Sequence, residues 1–122
     1  MTDLAVSFGN SPTLVGVVSE PETVLSGSPT VIILNSGLLH KVGPFRLSVT
    51  LARRLAVIGY RVLRMDISGI GDSKMRVVRD STHKALLDVD HAMNFMSKDF
   101  GSQKFVLMGL CSGADNAHRT AV

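Results

Sequence analysis

One cysteine, Cys111, stands in the run FVLMGLCSGADNAHRTAV that closes the 122-residue sequence, with Gly109 two residues before it and Gly113 two residues after. An apolar, strand-like FVLM precedes it and a helix-prone segment follows. A nucleophile on a tight strand-to-helix turn is pushed above the edge of a sheet, and flanking glycines let the two backbones approach without colliding Cβ atoms. The start of the helix favours the thiolate and draws the thiol below its usual pKa of about 8.5. Ser112 is the rival nucleophile, but its equivalent neighbours are Leu110 and Ala114, and Leu110 is too bulky for the role. Ser112 instead offers its backbone N–H to an oxyanion formed over Cys111. A lone cysteine is often just a small buried hydrophobe; the strand, the glycines and the helix start together favour the nucleophile.

Several elements must hold that turn in place. LAVSF and TLVGVVS, separated by the turn-forming GNSPT, read as a pair of neighbouring strands. TVIILN is a continuous β-branched run, as in a strand covered on both faces. From Phe45 to Ile58, Leu47, Leu51, Leu55 and Ile58 recur at helical spacing, with Gly43-Pro44 to start the helix and Gly59 to end it. YRVLRMD supplies a fourth strand closed by Asp66, a carboxylate suited to capping the turn ISGIG. Asp80 or Ser81 caps a second helix with a stripe of Leu86, Val89, Met93 and Met96, leaving Asp88, Asp90 and Lys98 outward. KFVLMG is the last strand. The order β-β-β-α-β-α-β-α predicts an α/β layered sheet with right-handed crossovers, whose chemistry gathers at the carboxyl ends of the strands.

Composition narrows the classes. Hydrophobic residues make up 45% and charged residues 19%, with mean hydropathy +0.27, enough for one domain with a sizeable core. The net charge of +3 is scattered among ten acidic residues, which argues against a nucleic-acid surface. Lys74, Arg76 and Arg79 form the densest basic patch and read as a solvated loop. A single cysteine excludes an internal disulfide, TDLAVSFGN lacks a signal peptide's pattern, and no apolar run nears the roughly 18 residues of a membrane span. The expected setting is the cytoplasm, with no membrane. A nucleotide-binding unit is disfavoured, since Gly69-x-Gly71 has Lys74 where a third glycine belongs.

Three motifs in order, VIILNSGLLHKVGP, YRVLRMDISGIGDS and FVLMGLCSGA, make the chain resemble the N-terminal half of an α/β hydrolase. Within that superfamily it is most similar to bacterial serine-aminopeptidase-like and exosortase-associated hydrolases with a Gly-Leu-Cys-Ser-Gly elbow. The resemblance implies a truncated three-layer sandwich over residues 1–122. It has a mostly parallel sheet of about five strands and an N-terminal antiparallel pair, and it lacks the family's last strands, acid and histidine. Where many members carry His-Gly, this chain has Asn35-Ser36-Gly37-Leu38, so the second oxyanion donor is the N–H of Gly37 or Leu38. Only Asp115 and His118 follow Cys111, on the same short helix. His118 reads as a helix residue, His83 and His91 as surface or boundary positions, and His40 as a substrate contact or stand-in base.

The expected activity is hydrolysis of a small ester or thioester through Cys111, with no cofactor and no metal; the alternative is a non-catalytic, oligomerising module that keeps the half-sheet. The fifth strand becomes an exposed apolar edge, which invites pairing into a homo-oligomer.

Overall fold

The computed structural model describes residues 1–9, 13–34, 41, 46–68, 73, 81–110 and 112–121, with the backbone alone at 81–83 and 112. The strands are β1 (Thr2–Phe8), β2 (Leu14–Glu20), β3 (Thr30–Ile33), β4 (Val62–Met65) and β5 (Phe105–Met108); the helices are α1 (Leu47–Val57), α2 (Ser81–Phe100) and α3 (Ser112–Ala121). The five strands form one sheet in the order β1-β2-β4-β3-β5. β2 pairs antiparallel with β1 (Asp3 opposite Ser19) and with β4 (Val17 opposite Arg64). β3 pairs parallel with β4 and β5. Four of the five strands therefore run the same way, as the crossover pattern predicts.

Every residue of β3 and β4 is buried, as the continuous β-branched run of β3 requires, and β4 buries Arg64 along with its apolar residues. On one face Ile32, Leu63, Met65, Leu14 and Val18 meet Val89, Ala92 and Met96 of α2 and Ala117 of α3. On the other, Val31, Ile33 and Val62 meet Ala52 of α1, with Leu51, Leu55, Tyr60 and Met108 around them. The result is a three-layer α/β/α arrangement. Gly101, at φ 72°, closes α2 as a left-handed residue, its N–H donating to Ser97 O and that of Ser102 to Met96 O.

Two helix faces differ from the sequence expectation. The buried side of α1 is Val49, Ala52 and Ala56, whereas Leu47 is 46% and Ile58 59% exposed. Small side chains let α1 lie close over β4 and β2, and Leu51 and Leu55 then reach sideways into the partly buried rim. In α2, Asp88 is fully buried instead of outward, while Asp90 and Lys98 are exposed.

The other flank of α1 is charged. Asp3 accepts from Ser19 Oγ (2.6 Å) and from Arg53 Nε (2.9 Å). Burial pushes its carboxyl up, but those hydrogen bonds and the charges of Arg53 and Arg64 outweigh it and hold Asp3 below 3.8. Arg64 is only 4% exposed, and its Nε has no hydrogen-bond partner among the described residues. Burial lowers its pKa, Asp3 opposes that, and Arg53 and Arg46 add to it.

The amino ends of β3, β4 and β5 are tied down separately. Arg61 grips Glu20 through Nε and Nη2, both at 2.6 Å, donates to Phe100 O (2.8 Å) and lies 5.2 Å from the Phe100 ring centroid. Beside it, the hydroxyls of Thr30 and Ser102 bond at 2.6 Å.

Candidate active site

The carboxyl ends of the strands bring the motifs together. Leu34, just past β3, donates its N–H to Met108 O at the end of β5 (2.9 Å), so the segments carrying Gly37 and Leu38 and the one carrying Cys111 leave from adjacent strand ends. Past β5 the chain turns sharply, with Gly113 N–H donating to Leu110 O (2.9 Å). At Gly109 a Cβ would collide with the carbonyl carbon and oxygen of Gly113 and lie 2.7 Å from Ala114 N. All three are backbone atoms, so β5 and α3 touch where only glycine fits, as the spacing of Gly109 and Gly113 predicts.

Ser112 is the first residue of α3, and its backbone N–H belongs to the first turn, where N–H groups lack an intrahelical acceptor. Cys111, Gly37, Leu38 and His40 lie outside the described residues, as do the Ser112 side chain and those of His83 and Asp80. His118 and Asp115 are exposed on α3 and His91 is half-buried on α2, in keeping with helix positions. His118 lines an open cavity of about 720 Å³ beside β5, with Met93, Phe105, Leu107, Gly109 and Ala117. Among the described residues no group of three His, Cys, Asp or Glu could hold a metal ion, and no helix is long and apolar enough to cross a membrane.

Around β4 the structure adds contacts that the sequence did not reveal: Asp66, expected to cap the turn ISGIG, also holds Lys41, and Asp88, expected outward, holds Ser68. Asp66 is fully buried, and its carboxylate accepts from the Lys41 N–H (2.7 Å) and ammonium (2.9 Å). Its backbone donates to Val15 O (3.0 Å) and accepts from Ser73 Oγ (2.6 Å), which in turn accepts the Val15 N–H (2.8 Å). Asp88 Oδ2 accepts the N–H and Oγ of Ser68 at 2.7 and 2.6 Å, both residues fully buried. A signal for Asp88 was present: position 88 shares a helix face with Ala85, Val89 and Ala92. Lys41 carried none, because a cation in a loop ordinarily reads as solvated.

The chain matches no protein-family model and no curated protein sequence. It is similar to many solved structures. An α/β serine hydrolase homologue from Coxiella burnetii is 19% identical with TM-score 0.71, over 98% of this chain and 56% of that one. A lidless α/β serine hydrolase from Xanthomonas campestris is 21% identical with TM-score 0.74, over 99% and 56%. The thioesterase domain of the curacin biosynthetic pathway is 19% identical with TM-score 0.75, over 99% and 40%. The chain thus spans about half the length of these structures. At such identities the likeness is one of fold: nearly the whole of this chain matches about half of an α/β-hydrolase fold.

Proposed function

We propose that the chain carries the nucleophile half of an acyl hydrolase acting on a small ester or thioester, with Cys111 as nucleophile. The observation that supports this most is the close approach of Gly109 to Gly113, a crowded strand-to-helix corner past the carboxyl end of β5. In this reading the Cys111 thiolate, favoured by the amino end of α3, adds to the acyl carbonyl carbon. The N–H groups of Ser112 and of Gly37 or Leu38 stabilise the oxyanion. The intermediate collapses with loss of alkoxide or thiolate, which takes up a proton, and leaves a Cys111 thioester. Water then adds, the sulfur leaves and the acid is released. His40 serves as substrate contact or stand-in base, and the subfamily is that of the Gly-Leu-Cys-Ser-Gly elbow.

Hydrolysis of p-nitrophenyl acetate and butyrate tests this: turnover is expected in the parent and only the uncatalysed rate in Cys111→Ala. Cys111 should also be alkylated by iodoacetamide faster than free cysteine at neutral pH. Turnover that survives Cys111→Ala overturns the nucleophile assignment. A parent with ordinary thiol kinetics and no turnover identifies a non-catalytic module instead.

The β5 edge supports association with a second copy. Val106 is 43% exposed, and the four residues of β5 carry no charge to repel an identical strand. A two-fold axis through this edge pairs β5 with β5 antiparallel.

A further inference from the structure

We infer that Asp66 and Lys41 are positioning residues, a latch that holds the β3–α1 connection where its N–H groups serve the oxyanion. The inference rests on the acyl-hydrolase reading above.

Asp66 belongs to β4's end and Lys41 to the connection between β3 and α1, 25 residues away. One carboxylate oxygen holds the Lys41 backbone N–H at 2.7 Å and the other its ammonium at 2.9 Å. That grip fixes main chain and side chain together, and charge assistance makes both bonds strong. The Asp66 side chain is wholly buried and that of Lys41 is 13% exposed, so water competes poorly for either. Asp66 is in turn immobilised by β2 and Ser73 through its own N–H and carbonyl. A rigid strand end thus reaches out to one residue of the connection.

That residue lies three positions after Leu38 and four after Gly37. A backbone donor contributes to an oxyanion site only when aimed within about 0.5 Å and 10–20° of the productive geometry. The connection from residue 35 to Arg46 contains Gly37 and Gly43, whose backbones are permissive, so its aim must come from outside contacts. The Asp66 latch supplies one, near its middle.

The test uses Lys41→Met, which keeps the N–H and the stem but removes the ammonium, with Lys41→Arg as the charge-retaining rescue. Three quantities are read: p-nitrophenyl ester kinetics, alkylation of Cys111, and backbone amide exchange over residues 36–41. Lys41→Met should lower kcat about 10-fold or more with KM changed less than about two-fold, because orientation in the transition state is lost. Exchange over residues 36–41 should quicken by about 10-fold. Cys111 alkylation, which needs no oxyanion donor, should stay at the parent rate, and Lys41→Arg should recover most of the kcat. Unchanged exchange overturns the latch, and so does a kcat loss matched by slower alkylation, which would mark general disruption. A parent without turnover sinks the hydrolase reading alone; the exchange arm then decides whether Asp66 anchors the segment.

Discussion

Replacing Gly109 by alanine is the sharpest probe of the corner between β5 and α3. The added carbon would overlap the Gly113 carbonyl and sit 2.7 Å from Ala114 N, where ordinary contact begins at 3.4 Å. Even the most forgiving of these contacts demands a retreat of at least about 0.7 Å, and because every atom met is backbone, no side-chain rotation relieves it. The first turn of α3 must therefore lift off β5, straining the Gly113–Leu110 hydrogen bond and loosening Ala117 from the core. Overpacking of this kind costs about 1–3 kcal/mol. Glycine-to-alanine changes elsewhere gain roughly 0.4–1 kcal/mol through the unfolded chain, so a net loss of about 1–2 kcal/mol is expected for a backbone clash. The protein has no tryptophan and one tyrosine, so urea unfolding followed by far-ultraviolet circular dichroism is the suitable assay. Cys111 alkylation and ester turnover report the displaced corner, and a shift of about 1 Å is enough for a 100-fold loss of rate. Gly101→Ala is the control: it meets no neighbour within 4 Å but has φ 72°, so it should destabilise by about 1 kcal/mol and spare Cys111. A Gly109→Ala protein as stable and as thiol-reactive as the parent would refute the close-contact corner.

Three further outcomes are expected. Arg64→Met removes a buried guanidinium whose Nε is unpartnered among the described residues, so urea stability should hold or rise by about 1 kcal/mol; a loss above about 2 kcal/mol would show that the charge is needed. Because the Asp3 carboxyl is held below 3.8, its ion pair adds stability that is complete well above that pH and lost as pH falls through the lowered value. The urea midpoints of parent and Asp3→Asn should thus differ at pH 7 and 5 and converge in strong acid, and a gap that stays constant there would contradict the assignment. Val106→Lys should turn a β5-paired dimer into a folded monomer by sedimentation equilibrium; a parent already monomeric at high concentration would end that proposal.

The parts of the fold readable from sequence are those where pattern and burial coincide. The continuous β-branched run TVII is buried throughout, and the glycines at 109 and 113 marked a backbone approach before any coordinate did. The face of α1 was misread because leucines carry more hydrophobic weight than alanines, whereas close helix-on-sheet packing over β4 selects small residues such as Ala52 and Ala56. Asp88 and Arg64 were hidden for a related reason: charge argues for exposure, and only tertiary partners such as Ser68, or the covering helix, reverse it. Lys41 could be assigned only once the topology set its connection beside the end of β4. Cys111, Gly37, Leu38 and His40 lie outside the described residues, so the case for the site rests on the backbone around them.

The clamp of Arg61 on Glu20 and Phe100 occupies the amino ends of the strands, a full strand length from the elbow. Such a partition gives selection two independent handles. Substitutions at that foot can retune how readily the chain melts while the corner between β5 and α3 is untouched, and changes at that corner need not loosen the base that carries it.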